Sequence, residues 1–263
     1  MTGAISFDSN SLQTFSRATV VGILTNAIEH TNLPNKDAGL YGLANTDRSV
    51  IPYVGYPSKG ISISGVIVGS TEANLDTRID SFKQYFLGKD KNLDIEYNGT
   101  TRRYCATVNT ISVIRSQTSL YATFQIEFIC TLPFGKNTTA TTALSASGRT
   151  AAGYTDSYTF LGSAPYQLPV ITITYSAVTD GASFVSFGNN GNGQGITITD
   201  QTWAAADVLE IDVYNRTVKK NGVEIDFLGA FPEFAPGAQN FSYSDGFTAR
   251  TFAITVSYYQ MWL

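Results

Sequence analysis

The chain has 263 residues, only 14% of them charged, with 16 Phe, 15 Tyr and 23 Gly, and a formal net charge of −4. Residues 1–135 carry 11 basic and 11 acidic side chains and residues 136–263 carry 6 and 10, so neither half holds the clustered Lys and Arg on which phosphate binding depends. No apolar run reaches the roughly 18 residues of a membrane span, two Cys and one His make no zinc cluster, and the N-terminus lacks the basic and apolar regions of a secretory signal. No metal, cofactor or membrane partner is expected.

The length is comfortable for two domains, and the Tyr, Phe, Thr, Ser and Asn content suits pleated sheet joined by turns. Residues 1–24 read as one or two short strands around Phe7, Phe15 and Val20-Val21. Residues 25–58, with Pro34, Gly39, Gly42, Pro52 and Pro57, show no sustained period; two readings stand, a partner-contacting arm and a meandering surface hairpin. Ile61 to Gly69 alternates as a strand. Leu75, Ile79, Phe82 and Phe86 then recur at spacings of 4, 3 and 4, which predicts a helix over 71–88, capped by Ser70 or Thr71 and ended by Gly88. Its stripe is expected to dock on a sheet.

Leu93 to Tyr97 reads as a strand turning at Asn98-Gly99, Arg102 to Val113 returns, and Tyr121 to Leu132 pairs back with Ala122, Phe124, Ile126, Phe128 and Cys130 on one face. Cys105 and Cys130 fall in neighbouring strands, where either a bridge or two buried thiols is compatible with the pattern. Lys136 to Thr150, rich in Thr, Ser and Ala without an acidic residue, reads as a linker. Domains are therefore expected at 1–135 and 151–263, with 136–150 between them.

From Tyr154 onward only strands are predicted, punctuated by Asp180-Gly181, Gly188 to Gly193, Asn221-Gly222, Pro236-Gly237 and Asp245-Gly246. That spacing argues for a sandwich or jelly roll. The fold class is thus mainly β: an N-terminal β-sandwich with one α-helix, then a C-terminal β-sandwich.

Catalytic chemistry is hard to place. His30 is the single His and sits in the irregular segment, there is no GxSxG, and the Gly-rich stretch at 188–193 joins strands rather than opening a helix. Glu210 and Asp212 share one strand face roughly 7 Å apart, a spacing that suits an acid/base pair and equally a solvated face. No catalytic residue is assigned. Trp203, Tyr214 and Tyr243 are candidates for stacking a sugar, which makes a soluble carbohydrate-binding module the alternative function.

Two stretches carry a more specific signal. One is Gly99-Thr-Thr-Arg102-Arg103-Tyr104-Cys-Ala106 with the strand ending Phe128-Ile-Cys130-Thr-Leu-Pro133-Phe134. The other runs from Asp207-Val-Leu-Glu-Ile-Asp212 through Asn215-Arg-Thr-Val218, Asn221-Gly222, Phe231-Pro232-Glu-Phe234 and Pro236-Gly237-Ala-Gln-Asn240 to Tyr258-Tyr-Gln-Met-Trp262-Leu263. Their order and spacing resemble the distal tail proteins of long-tailed bacteriophages over nearly the whole chain.

The resemblance implies a structural, non-enzymatic subunit of the virion tail tip, assembled in the bacterial cytoplasm. It implies a homohexameric ring built by the first domain, a tail tube protein docked above and a tail hub protein below. A galectin-like outer domain would hold receptor-binding or side-fibre proteins, and DNA would transit the lumen without specific binding. In this reading residues 71–88 are the family's helix and 25–58 its variable arm. Residues 151–263 contain no His, so the usual galectin sugar site is not expected. The sequons at Asn98, Asn137 and Asn215 are not glycan acceptors in a protein made in that compartment.

Overall fold

The structure, a computed structural model, describes residues 4–30, 37–38, 41–42, 49–50, 54–55, 58–115, 119–179 and 183–263. Most of the expected arm and the Asp180-Gly181 turn lie outside the described residues. What is described between 37 and 55 pairs as two short antiparallel ladders, Asp37–Ala38 with Val54–Gly55 and Tyr41–Gly42 with Ser49–Val50. The chain forms two compact units, Met1–Lys136 with Leu263, and Asn137–Trp262. Among the described residues it is mainly β with one helix.

In the first unit the strands run in the order Asn10–Ser11, Ile5–Phe7, Lys91–Tyr97, Thr100–Arg115, Tyr121–Cys130, Lys59–Val68, Gly22–His30, all antiparallel. Residues 25–30, expected to be irregular, are strand; Ile23 and Ile28 pair with Ile67 and Ile63, and the burial of that apolar row outweighs the weak local pattern. The segment Leu12–Phe15 straps the two ends of the sheet together. Leu12 N–H donates to Ile5 O at 2.8 Å, while Thr14 and Phe15 N–H both donate to Ile23 O at 2.9 Å.

The helix spans Glu72–Gln84, capped by Thr71, whose hydroxyl accepts from Asn74 N–H. It stops four residues short of Gly88: Tyr85 and Phe86 N–H bond back to Phe82 O and Lys83 O, a tight last turn that leaves Phe86 in the core. The stripe docks as expected. Phe82 packs tilted against Phe124 with ring centres 4.7 Å apart, and Phe7 lies 5.6 Å from Phe86 and 5.1 Å from Phe128. Leu75, Phe7 and Phe82 are fully out of water, each contributing about 1.5–3 kcal/mol by burial. Arg115 on the neighbouring strand clamps the helix from outside, pairing with Asp76 and, at 3.7 Å, with Glu72. Gly65 lets the sheet close on this core, since a Cβ there would collide with Leu24 O and lie 2.7 Å from the Phe124 ring.

The second unit is a sandwich. One sheet has the order Thr141–Arg149, Ala249–Tyr258, Val170–Thr179, Val208–Asp212, Thr217–Lys220, Val223–Glu224. The other runs Gly153–Phe160, Gly237–Asp245, Val185–Asn189, Gln194–Ile198, Leu228–Gly229. Their inner faces bury one core that includes Ile171, Phe187, Ile211, Phe241, Ile254 and Tyr258. Residues 141–149, expected within a linker, form the edge strand of the first sheet. Leu144 and Ala146 are packed against that core, but the flanking Thr, Ser and Gly hid the alternation. The tail of the unit is pinned by a buried pair, Asp245 and Arg250, at 2.9 Å.

Candidate functional site

Four antiparallel segments form the centre of the first unit: 107–115, Tyr121–Cys130, Lys59–Val68 and Gly22–His30. The two-residue period sends Ala122, Phe124, Ile126, Phe128 and Cys130 inward and Thr123, Gln125, Glu127 and Ile129 outward. Register carries the same division across the strands. Glu127 stands opposite Ser62, and Ser62 opposite Glu29, so two carboxylates share one row about 10 Å apart. Gln125 aligns with Ser64 and Ser112, and Thr123 with Val66 and Ile114. Over these segments the outward face mixes Ser, Thr, Gln and the two Glu with exposed apolar residues such as Ile114, Tyr121 and Ile129, and among the described residues has no Lys or Arg.

The same four segments have open edges on both sides. Lys91–Tyr97 pairs with the long strand only as far as Ala106, and Asp90 N–H donates to Thr107 Oγ1 at 2.9 Å; beyond that, residues 108–115 have no strand on that side among the described residues. A bulge at Asn109, which opposes no residue of the partner strand, sits inside this open stretch. On the far side the strap reaches Ile23 and Thr25, and beyond it Ala27–His30 meets no further strand among the described residues. Unpaired edges of this length are templates for another strand.

Among the described residues no group of three or more His, Cys, Asp or Glu is placed to hold a metal, and no helix is long and apolar enough to cross a membrane. The structure places Cys105 and Cys130 on opposite faces, because Ala106, not Cys105, is the register partner of Cys130; both thiols are free. Burial first pushes the Cys130 thiol up to about 12, which leaves it an inert apolar group.

Glu210 lies 3.8 Å from Lys219, and Asp212 accepts from Asn215 N–H and Nδ2, so both carboxylates are engaged in sheet and turn. The side chain of His30 lies outside the described residues. Trp203 is no sugar platform: it is 3% exposed, 5.4 Å from Tyr175, with the Lys220 ammonium 5.2 Å over its ring. Tyr243 is likewise buried, its hydroxyl 3.1 Å from that of Tyr175. Residue type alone does not separate a core aromatic from an exposed one. Tyr214 is 47% exposed. The turns fall where expected, with Asn98 and Gly99 at φ 49° and 80°, Asn221 and Gly222 at 50° and 80°, and Gly237, after Pro236, at 99°.

No family model matches the chain, and no curated protein matches it by sequence. Among solved structures, the Dit protein of phage SPP1, described as a paradigm of the hub adsorption apparatus in phages infecting Gram-positive bacteria, is similar over 100% of both chains, with a TM-score of 0.66 at 12% identity. The chain has the Dit fold. The phage P2 baseplate in its activated conformation with Ca is similar over 98% of each chain, with a TM-score of 0.40 at 9% identity, and the form with Sr over 97% of each, at 0.39 and 10%. The Dit fold covers both units, as the resemblance of the sequence to distal tail proteins anticipates.

Proposed function

We propose that this chain is a structural, non-enzymatic subunit of a phage tail tip, six copies of which close into a ring through the first unit. The observation that carries the reading is the pair of open edges on one sheet. Each strand of the four is antiparallel to the next, so 107–115 and Gly22–His30 run in opposite directions. The Ala27–His30 edge of one copy therefore meets the 108–115 edge of the next with antiparallel polarity. A contact of this head-to-tail kind satisfies both edges when the rotation closes.

In such a ring the outward face described above becomes the wall of the passage. Its two carboxylates and lack of cations suit DNA transit, because a basic wall would hold the duplex by phosphate contacts. Residues 1–135 would form the ring, with a tail tube protein above and a tail hub protein below. The second unit, Asn137–Trp262, would be the galectin-like sandwich that carries receptor-binding or side-fibre proteins outward. The subunit would be made in the bacterial cytoplasm and reside at the distal end of the tail. Full-length protein, alone and mixed with tube and hub proteins, is expected to give a hexamer by native mass spectrometry and a six-fold density at the tail tip by electron cryomicroscopy. A monomer under every condition, absent from tails, would sink the proposal.

A further inference from the structure

Four Asn-Gly dipeptides punctuate the chain, Asn98-Gly99, Asn190-Gly191, Asn192-Gly193 and Asn221-Gly222, and all four sit in turns. A glycine carries no side chain to shield its own N–H, which makes that nitrogen a nucleophile for the side-chain carbonyl carbon of the asparagine before it. Two of the turns share one backbone. Asn98 and Gly99 have φ 49° and 80°, Asn221 and Gly222 have 50° and 80°, and each pair closes a two-residue hairpin, between Tyr97 and Thr100 or between Lys220 and Val223. What separates these two turns is the way their side chains are held.

Asn221 has both ends of its amide engaged: Oδ1 accepts from Val208 N–H at 2.8 Å and Nδ2 donates to the Asp207 carboxylate at 2.7 Å. Asn192 is held as firmly, with Nδ2 donating to Gln194 Oε1 and Glu233 O at 2.9 Å and Oδ1 accepting from Gln194 N–H at 3.0 Å. The Gly193 N–H that would attack it is itself donated to Asn189 O at 3.0 Å. At Asn190 the Gly191 N–H is donated to Asn189 Oδ1 at 2.8 Å, and the side-chain amide reaches Thr155 Oγ1 at 3.3 Å. Asn98 differs from all three. It is exposed, and among the described residues neither its side chain nor the Gly99 N–H has a hydrogen-bond partner. Nothing lies within 4 Å of where a Gly99 side chain would stand.

We propose that Asn98 is a site of self-modification, at which the folded chain converts its own asparagine to aspartate and isoaspartate. The Gly99 nitrogen bonds to Asn98 Cγ and gives up its proton; the Cγ–Nδ2 bond breaks and Nδ2 leaves as ammonia. One water then opens the cyclic imide. Cleavage of the new bond leaves aspartate, and cleavage of the original peptide bond leaves isoaspartate, linked through Cγ. Water enters and ammonia leaves, with no oxidant and no enzyme. Either product places a new negative charge beside Tyr97. Isoaspartate also adds a backbone carbon to a loop whose two-residue length sets the pairing of Tyr97 with Thr100, so the hairpin tip loses its register.

The test is to age the folded full-length protein in warm, mildly alkaline buffer made with heavy-oxygen water, which labels only sites that react during ageing. Digestion with pepsin in acid, where the reaction is slow, followed by mass spectrometry with electron-transfer fragmentation, reads each asparagine separately and tells isoaspartate from aspartate. Asn98 is expected to react at least about tenfold faster than Asn221, whose side chain must first give up two hydrogen bonds, one of them to a carboxylate. Asn190 and Asn192 should also lag behind Asn98. In guanidinium the four rates should converge, because the dipeptide is the same. Asp207→Ala, checked for folding by circular dichroism, should speed Asn221 on the order of tenfold and leave Asn98 unchanged. Asn98 no faster than Asn221 in the folded protein overturns the proposal. So does a spread of rates that persists in guanidinium, which would assign the selectivity to sequence instead of fold.

Discussion

Asn221 and Val208 exchange hydrogen bonds in both directions: Asn221 N–H donates to Val208 O at 2.9 Å, and Val208 N–H donates to the Asn221 side-chain oxygen at 2.8 Å. The Asn221 amide also donates to Asp207 at 2.7 Å. The tip of a hairpin is thereby locked onto the start of the preceding strand, and the lock requires the left-handed pair Asn221-Gly222.

Gly222 has φ 80° and open space where a side chain would stand, so Gly222→Val tests backbone conformation alone. Scanning calorimetry is expected to show the second unit destabilised by about 1–3 kcal/mol, with the first unit unmoved. Unchanged melting of the second unit would refute the role of the turn.

Asn109 occupies a bulge on the open edge, where proline is tolerated within a sheet. Asn109→Pro should leave monomer stability within about 1 kcal/mol and still lower the hexamer fraction seen by native mass spectrometry, since proline cannot donate to an added strand. A variant that assembles like the parent would move the copy-to-copy contact away from this edge.

Glu29 and Glu127 lie in one row of the outward face, on either side of Ser62. The double change Glu29→Lys and Glu127→Lys is expected to create binding to duplex DNA at low salt, weakening steeply as salt rises, where the parent shows none by fluorescence anisotropy. Equal behaviour of parent and variant in the assembled ring would mean that this face does not line the passage.

Lys59 is buried near the Tyr104 ring, 5.7 Å from its centre. Burial first, and then the Arg102 charge, hold its ammonium below the ordinary lysine range, while Cys130 acts in the opposite sense. The unfolded chain therefore keeps this proton to higher pH than the folded one. The resulting penalty on the first unit is present below the folded value and fades as pH climbs toward the free-lysine value. Urea unfolding of the first unit should show Lys59→Met more stable than the parent at pH 7, with the difference between the two shrinking as pH climbs toward the free-lysine value. Cys130, Tyr97 and Tyr104, all raised chiefly by burial, act with opposite sign in parent and variant alike, because the unfolded thiol and phenols ionise first. An identical slope in the variant would remove Lys59 as the cause.

The helix was legible because Leu75, Ile79, Phe82 and Phe86 repeat at helical spacing with Thr71 ahead of them. The strand Tyr121–Cys130 was legible because every second residue is large and apolar. Thr141–Arg149 was not, since small residues cover its inner face and Gly148 interrupts it at φ 65°. The open edge at 108–115 is invisible in sequence because it depends on where a different strand ends.

The strap from Leu12 to Phe15 has a mechanical meaning. A ribbon of strands free at both ends changes curvature by twisting, which costs little. With Ile5 and Ile23 tied through the strap, the sheet behaves as a hoop, and any flattening must stretch those hydrogen bonds or drag Phe7 out of its aromatic stack. A sideways load on one rim is thus shared around the circumference instead of prising open a single seam, which lets the unit hold its shape while it is pulled.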